Sequence, residues 1–419
     1  MTPKDCTVMV IDNGLFAELA MVLARTFKRV RYHVPYSTQF PKRNHADIGR
    51  GYGDIEHVYD MWPHVADTDL FVFPDVGFPG LQDHLASIGK MIFGPRGGEA
   101  LEQDREALKK LMESRGLPVG PYEVVKGLDA LRDALKDKRG TCYVKIDQWR
   151  GYMETFRCDG YRFVEPLLDE LQHDMGRFKD SMTFIIEDAL PDKVELGIDA
   201  YNIDGRMPDK ALIGLEVKDL GYVGCVHDYA AIPEPLTRFD RIMAPELRKA
   251  HYRGFYSTEV RIGKDMTPYM IDLCARCGSP PSELYQELYS NIADIVFYGA
   301  QGRVVQPTVR GKYGCEVILK CTDAKESFIP VLVPKSVAAN VKLHNATKIS
   351  GVEYVIPQSV GMVEIGAAVG WGSTLKTAMD MALDAAGEVR CRGLEIPKSA
   401  LDKAQEQIQE AQGNGLHIF

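Results

Sequence analysis

Two acidic residues that could hold a divalent cation fall on consecutive predicted strands. Residues 254–262 (GFYSTEVRI) and 269–276 (YMIDLCAR) read as β-strands joined by the turn residues GKDMTP. If Ile262 and Tyr269 flank that turn, the register places Glu259 opposite Asp272. Two facing carboxylates repel each other unless a cation lies between them, and hard oxygen ligands suit magnesium bound to substrate phosphates. The pair therefore predicts a magnesium and phosphate site.

The same strand face continues through Cys274 to Arg276, because side chains alternate along a strand. A guanidinium one or two positions beyond a magnesium pair is suited to hold a phosphoryl group during its transfer. The alternative is that both carboxylates face water and are neutralised by Arg261 or Lys264. The strand pair alone leaves both interpretations open.

Other charged residues interrupt or end apolar strands. Lys145 lies within TCYVKID, and because a buried ammonium is costly without an anion, we expect it to meet a ligand or a carboxylate of the protein. Glu187 and Asp188 end the strand MTFIIED, and Glu195 follows across a short loop. These acids could accept hydrogen bonds from an adenine amine and from ribose hydroxyls. Acids that face water at strand ends would give the same pattern.

The elements around these residues predict a mixed α/β fold of several lobes. A strand at 8–12, a helix from Ala17 to Phe27, and strands at 70–74 and 90–95 predict a small α/β lobe with a parallel sheet. No G-x-G-x-x-G follows the first strand, which argues against a nicotinamide site.

The rest of the chain reads as further strands and helices. Helices are predicted over 98–115, over SELYQELYSNIADIVFYGA, over TLKTAMDMALDAA with Gly372 and Ser373 as its cap, and over the last segment, which docks by Leu401, Ala404, Ile408 and Ala411. Strands are predicted at 141–147, 182–188, 194–204, 211–219 and within residues 315–370. We predict domains at 1–95, 96–300 (with a lid subdomain at about 118–190) and 301–390, and a surface helix and tail at 391–419.

Composition limits the classes of partner. The 419 residues are 45% hydrophobic and 26% charged, the balance of a folded globular chain, and the net charge of −9 is spread without a basic block. Nucleic acid and anionic membranes are therefore not expected as partners. No stretch of about 18 apolar residues and no signal peptide is visible, so we expect a cytoplasmic protein, with its nine cysteines as thiols.

The ordered set of motifs resembles the ATP-grasp superfamily and, within it, the phosphoribosylglycinamide synthetase family. The resemblance is carried by FGPRGGEALEQDREALKKLMESRGLPVGPY, YVKID, IIEDALPDKVELGIDAY, LEVKD, YMIDLCARCGSPPSE, which is similar to the family's E-x-N-x-R and G-D-P-E, and MVEIGAAVGWGSTLKTAMDMALDAA. It spans nearly the whole chain. It implies an ATP-grasp fold with a Rossmann-like N-terminal lobe and a small β-rich C-terminal lobe.

The resemblance also implies roles for individual residues. Phosphate contacts would fall to Lys109 and Lys145, adenine contacts to Glu187 and Asp188, a ribose contact to Glu195, magnesium to Glu259 and Asp272, and catalysis to Lys218 and Arg276. The implied chemistry forms an acyl phosphate from ATP and a carboxylate, which an amine then attacks. Positioning and charge neutralisation, rather than a protein nucleophile, would supply the catalysis.

The sequence departs from the family in three places. Cys274 replaces the asparagine of E-x-N-x-R, and a neutral thiol is a poor magnesium ligand. DQWRGYMETF has one glycine where the family's lid has several, so Arg150 could replace backbone contacts to phosphates or be merely exposed. The segment GYVGCVHDYAAIPEPL replaces the family's acceptor loop, which indicates a changed substrate.

Candidate substrate-binding residues remain in the altered regions. Asp75 could meet an amine or hydroxyl or simply form a turn, and His227 could carry a proton or be structural. The C-x-x-C at Cys274 and Cys277 does not predict a zinc site, because no second ligand pair exists and residues three apart on a strand face opposite sides.

The sequence thus predicts an ATP- and magnesium-dependent carboxylate–amine ligase with altered acceptor specificity, acting as a monomer or homodimer on small molecules. The alternatives are an ATP-grasp nucleotide-binding protein without ligase activity, motivated by Cys274 and the reduced lid, and an ATP-grasp kinase or carboxylase.

Overall fold

A computed structural model describes residues 1–35, 47–147, 154–190, 194–218, 220–325, 327–357, 364–397 and 399–419. The chain forms two compact units. The larger unit contains Met1–Glu99, Glu195–Thr258 and Cys274–Phe419, and the smaller contains Ala100–Val194 and Glu259–Leu273. The chain therefore enters the smaller unit twice.

The elements are numbered in chain order. The strands are β1 Thr7–Ile11, β2 Arg29–His33, β3 Glu56–His57, β4 Leu70–Val72, β5 Met91–Phe93, β6 Tyr122–Lys126, β7 Cys142–Ile146, β8 Thr155–Cys158, β9 Thr183–Asp188, β10 Val194–Ile203, β11 Lys210–Val217, β12 Gly221–Asp228, β13 Arg253–Ile262, β14 Pro268–Cys274, β15 Tyr313–Cys321, β16 Ile329–Leu332, β17 Val341–Leu343, β18 Ala346–Ile349, β19 Val352–Val355, β20 Glu364–Gly372, β21 Arg390–Cys391 and β22 Leu394–Glu395. The helices are α1 Ala17–Ala24, α2 Pro79–Ser87, α3 Ala100–Gln103, α4 Arg105–Ser114, α5 Leu128–Asp137, α6 Tyr161–Met175, α7 Glu234–Lys249, α8 Ser282–Leu288, α9 Ile292–Ala300, α10 Leu375–Glu388 and α11 Ala400–Gly413.

The N-terminal part of the larger unit is a parallel sheet of order β3-β2-β1-β4-β5. β1 lies at the point where the strand order reverses, and its fully buried sequence TVMVI is typical of a parallel strand covered on both faces. Ligands of open α/β sheets bind beyond the carboxyl ends of the strands at such a point. The predicted parallel sheet is confirmed.

The remainder of the larger unit is mainly antiparallel. β10, β11, β12, β15, β20 and β17 follow one another in the main sheet, and β18, β19, β16 and β21 form a smaller one. α11 packs against β11 and β12. The predicted stripe of Leu401, Ala404, Ile408 and Ala411 is buried, which confirms the docking face of this helix.

The smaller unit is a four-stranded antiparallel sheet of order β6-β9-β7-β8 with α5 and α6 on one side. Leucines of both helices, among them Leu131 and Leu168, pack on strand residues such as Val144 and Phe184. Residues 259–262 of β13 and 268–273 of β14 also belong to this unit, and Met270 N donates to Pro118 O at 3.2 Å. The opposite face of the sheet carries charged side chains.

One predicted helix is two helices in the structure. The expected helix over residues 282–300 stops after α8 and restarts as α9. Between them the backbone of Ser290 donates to Thr308 O at 2.8 Å, and Asn291 Oδ1 accepts from Thr308 N at 2.7 Å. Because these bonds replace those of a continuous helix, the chain turns at this point.

Helix caps explain two further differences. The predicted helix over 98–115 is broken at Asp104, whose carboxylate accepts from Ala107 N at 2.9 Å and so begins α4. α10 is capped by Thr374, whose hydroxyl accepts from Thr377 N at 3.2 Å, rather than by Gly372 or Ser373. No helix among the described residues is long and apolar enough to cross a membrane.

A buried acid on α7 gives the larger unit a predictable pH dependence. Burial raises the pKa of Asp240 to about 7, although its Oδ2 accepts a hydrogen bond from Tyr229 Oη at 2.8 Å. Because the folded-state pKa lies above the unfolded one, the folded protein binds the extra proton between about pH 4 and 7, and stability falls as pH rises through that window. Asp240→Asn is expected to flatten this slope by up to about 1.4 kcal/mol per pH unit in urea titrations from pH 4 to 8.

The control for this prediction is Glu234→Gln on the same helix, whose side chain is 61% exposed. It should leave the slope unchanged. An unchanged slope in Asp240→Asn would show that this carboxyl ionises normally in the folded protein.

Candidate active site

The charged face of the smaller unit is centred on Lys145. This residue lies on β7, and its side chain is only 6% exposed. Its Nζ is 3.4 Å from an oxygen of Glu187 and 3.4 Å from an oxygen of Asp272, and donates to Ile271 O at 3.0 Å. The anion that this lysine requires is thus supplied by two carboxylates of the protein.

Strand register explains why Lys145 and Glu187 meet. β7 pairs with β9 so that Lys145 opposes Ile185 and Tyr143 opposes Glu187. Lys145 and Glu187 are therefore diagonal neighbours on the same sheet face, within reach of long side chains. Lys109 from α4 joins them, with its Nζ 3.0 Å from Glu187 and 5.3 Å from the ring centroid of Tyr122.

Arg105 adds a third cationic group, which sequence reasoning missed. It is buried in the first turn of α4, where its backbone N–H donates to Asp147 Oδ1 at 2.9 Å and its Nη1 donates to Ile146 O at 2.7 Å. Within the described ranges its Nε has no hydrogen-bond partner. The signal that could have found it is the helix cap at Asp104, which fixes Arg105 as the first helical residue.

These side chains line a small, partly open cavity. One part of its wall is apolar and the other is charged, as expected of a site for a ligand with an apolar ring and an anionic group. The lining residues are Arg105, Leu108, Lys109, Met112, Val119, Lys145, Glu187, Met270, Ile271 and Asp272.

The charged groups of the cavity shift one another's pKa values. Burial opposes the charge of Lys145, but Asp272 and Glu187 outweigh it and raise the pKa of this lysine. Burial alone would raise the pKa of Asp272, but Lys145 and Arg105 outweigh it and hold that pKa below its ordinary value. Burial lowers the pKa of Lys109, and Glu187 only partly offsets this. At neutral pH, Lys145 and Asp272 are therefore a charged pair.

The donor set near Asp272 suits magnesium. Glu259 belongs to the same unit, and its charge contributes to the raised pKa of Lys145, which places it near the cluster. No group of three or more His, Cys, Asp or Glu arranged to hold a metal occurs in the described part of the chain. Two carboxylates fit a magnesium ion that takes its other ligands from phosphates and water.

Other predicted site residues lie outside this cluster. Asp188, at the end of β9, is 2.5 Å from Lys138 and 41% exposed, so its carboxylate serves a surface ion pair. Glu195 is half-buried on β10, and Lys218 is exposed just after β11, both in the larger unit. Arg150 lies outside the described residues. The roles of these four residues stay predictions.

The larger unit brings together Asp75 and Arg276 beyond the ends of β4 and β14. Asp75 accepts from Asn13 Nδ2 at 3.0 Å and from Val76 N at 2.8 Å, and its Oδ1 lies 3.7 Å from Arg276 Nε. Asp75 and Asn13 follow β4 and β1, the two strands at the switch point of the parallel sheet. This is the position where the fold favours a ligand.

His227 and the C-x-x-C have other surroundings. His227 lies on β12, and its Nε2 is hydrogen-bonded to Ile418 O at 2.8 Å, so the ring binds the C-terminal segment. The first part of the altered segment, GYVGCVHD, is strand β12. β14 ends at Cys274, which is half-buried, and Cys277 is fully buried; all nine cysteines are thiols.

Glu187→Gln tests whether this carboxylate neutralises the lysines of the cavity. Glu187 neutralises both Lys109 and Lys145, so its loss is expected to lower the free energy of unfolding by about 3 kcal/mol. If the phosphates of ATP bind these lysines, as the family resemblance implies, they restore the missing negative charge, and MgATP should raise the melting temperature of this variant more than that of the wild type. Asp133→Asn on α5 is the control: its ion pair with Lys136 is exposed, so the melting temperature should stay within about 1 °C of the wild type both without and with MgATP. Equal behaviour of the two variants would contradict the charge assignment.

Comparisons with known proteins agree with this fold. No family model matches the chain. It is 26% identical over 251 residues to a phosphoribosylamine–glycine ligase of Allochromatium vinosum, and the match covers 55% of this chain and 57% of that protein. The matched region thus spans a little over half the length of the curated relative.

Solved structures extend the similarity to almost the entire chain. The phosphoribosylamine–glycine ligase of Thermotoga maritima superposes with a TM-score of 0.72 at 18% identity, covering 94% of this chain and 99% of that one. A biotin carboxylase from Campylobacter jejuni, solved as a β-γ-ATP complex, gives 0.65 at 14% identity, covering 97% and 96%. The predicted mixed α/β fold of ATP-grasp type is confirmed, and over a little more than half its length the chain is similar in sequence to a phosphoribosylamine–glycine ligase.

Proposed function

We propose that the chain is an ATP- and magnesium-dependent ligase that joins a small carboxylate to an amine through an acyl phosphate. The observation that carries the proposal is the buried Lys145, held between Glu187 and Asp272 in a cavity of the smaller unit. Such a cluster costs free energy of desolvation, and a charged cavity that is costly to maintain is characteristic of a functional site.

The apolar wall of the cavity would hold the adenine, and its cations would bind the phosphates. Leu108, Met112 and Met270 provide the apolar surface. Arg105, Lys109 and Lys145 provide the positive charge. Before ATP binds, Glu187 and Asp272 neutralise these cations. Bound phosphates would then compete with the carboxylates for the same ammonium groups, and this would order the site around the nucleotide.

Glu259 and Asp272 would hold the magnesium ion, which would neutralise charge on the phosphates. Cys274 follows on the same strand in place of a better ligand, so we expect these two carboxylates to be the main protein ligands. Asp272 stays ionised to low pH because its pKa is depressed, so it is available to a cation throughout the neutral range.

The chemistry requires two displacements. An oxygen of the substrate carboxylate attacks the γ-phosphorus of ATP and ADP leaves with the electrons of the broken P–O bond. The amine nitrogen then attacks the acyl carbon, phosphate leaves with the electrons of the C–O bond, and the nitrogen releases a proton to solvent. Arg276 is the group proposed to stabilise the charge that develops on the phosphoryl group, and Asp75, 3.7 Å away, is proposed to bind the amine or a hydroxyl of the acceptor.

A panel of small carboxylates and amines tests this proposal, with ADP and phosphate release as the readout. We expect release that requires both a carboxylate and an amine and that stops when EDTA removes magnesium. Release with bicarbonate and no amine would instead favour a carboxylase, which the similarity to biotin carboxylase motivates. Tight ATP binding by calorimetry without release across the panel would favour a nucleotide-binding protein without ligase activity, which Cys274 motivates.

A further inference from the structure

A buried carboxylate lies at the start of the helix that follows Arg276. Glu283, in the first turn of α8, is 2% exposed and accepts three side-chain hydrogen bonds. His344 Nε2 donates to its Oε1 at 2.7 Å, Ser279 Oγ donates to the same oxygen at 2.8 Å, and Ser282 Oγ donates to Oε2 at 3.1 Å. Both oxygens of the carboxylate are therefore engaged by fixed donors.

Two of these donors lie between Arg276 and Glu283: Ser279 is in the loop before α8, and Ser282 is the first residue of that helix. Residues 277–282, here called the turn, are also held by backbone bonds, from Cys277 N to Pro74 O at 2.8 Å and from Ser282 N to Gly278 O at 2.8 Å. Arg276 Nη1 donates to Cys277 O at 2.9 Å. The guanidinium is thus bonded to the first residue of a turn whose other end is fastened to Glu283.

His344 fixes Glu283 from the opposite side. It follows β17, and its backbone N donates to Ile365 O at 2.9 Å, so the imidazole is attached to the main sheet of the larger unit. Its side chain is 4% exposed. The negative charge of Glu283 holds the pKa of His344 above its usual value despite burial, so the pair is charged. A charge-assisted bond of this kind is stronger than a neutral one.

We infer that Glu283, held by His344, is a positioning residue that fixes the turn 277–282 and, through it, the guanidinium of Arg276 beside Asp75. This inference rests on the proposed function, in which Arg276 acts on the transferring phosphoryl group. Glu283 itself is too deeply buried to touch a substrate. Small displacements of a catalytic group, on the order of 1 Å, can cost about 10²-fold in rate.

The same helix offers a matched control. Glu287 lies one turn later on α8, is 1% exposed, and pairs with Lys342 of β17 at 2.8 Å and with Arg25 at 2.8 Å. Glu283 and Glu287 thus make two comparable acid–base contacts between α8 and the β17 region. Of these two contacts, the one made by Glu283 also involves the serines of the turn.

The experiment compares three variants with the wild type: Glu283→Gln, Glu287→Gln, and a double variant that combines Ser279→Ala and Ser282→Ala. The double variant removes two hydrogen bonds to Glu283 without changing any charge. We expect Glu283→Gln and the serine variant to lower kcat for amine-dependent ADP release by about 10–100-fold while the KM for ATP stays within about twofold. Glu287→Gln should lower the melting temperature as much as Glu283→Gln and keep kcat within about twofold of the wild type. Equal loss of kcat in both glutamine variants would overturn the inference.

Hydrogen exchange separates this inference from the proposed function. In Glu283→Gln the amides of Cys277 and Ser282 should exchange faster than in the wild type, and in Glu287→Gln they should not. This readout needs no enzyme activity. If the wild type releases no ADP with any amine, the proposed function fails. Hydrogen exchange would still show whether Glu283 holds the turn. Unchanged exchange in Glu283→Gln overturns the inference.

Discussion

Replacing Lys145 by methionine is expected to lower ATP turnover by about 10²–10³-fold, because the cavity loses the ammonium that lies between Glu187 and Asp272. Methionine keeps most of the buried volume, so the cavity wall remains packed. Two buried carboxylates then lose a shared cation, although Lys109 still pairs with Glu187. ADP release and ATP titration calorimetry measure the effect, and circular dichroism checks the fold.

The control for Lys145→Met is Lys138→Met, which removes a lysine from the same unit. Lys138 forms an ion pair with the exposed Asp188 at the surface, so ATP turnover should stay within about twofold. Lys145→Arg keeps the charge but changes its shape and is expected to recover only part of the activity. A folded Lys145→Met that binds ATP like the wild type would contradict the assignment of this cavity to the nucleotide.

Asp272→Asn is expected to lower magnesium-dependent ADP release by about 10²-fold with the fold retained. The amide has nearly the same shape as the carboxylate but carries no charge. Lys145 and Arg105 lower the pKa of Asp272 despite its burial, so the cluster stabilises the charged form that the variant lacks. The variant should also bind ATP with an affinity that no longer rises when magnesium is added. Calorimetry with and without magnesium measures this directly.

The matched control for Asp272→Asn is Asp129→Asn, an exposed acid on α5 of the same unit. It should change neither ADP release nor the magnesium dependence of ATP binding. Rapid turnover by a folded Asp272→Asn protein would remove this carboxylate from the metal site.

Several features of the cavity could be predicted from local sequence. Lys145 interrupts an apolar strand, so its need for an anion follows from the cost of burying an ammonium. Asp272 and Glu187 are acids at or near the ends of apolar strands, which marks them as unusual. The fold itself followed from motif order, and strand boundaries such as those of β7 and β9 match the apolar runs within a residue or two.

Other features depend on contacts between distant parts of the chain. The contacts of the Glu187 carboxylate with Lys109 and Lys145 result from the β7–β9 register and the position of α4, and its role at the adenine stays a prediction. His227 binds a carbonyl 191 residues away in the sequence, at Ile418, which no local pattern reveals. The break between α8 and α9 likewise depends on bonds to Thr308.

The most direct test of the nucleotide site is a crystal structure of the full chain with magnesium and a non-hydrolysable ATP analogue. We expect the triphosphate of the analogue to lie within hydrogen-bond distance of Lys145, with the magnesium ion bound to Asp272 and Glu259. A nucleotide bound elsewhere, with Lys145 still paired to Glu187 and Asp272 beside an empty cavity, would contradict this expectation.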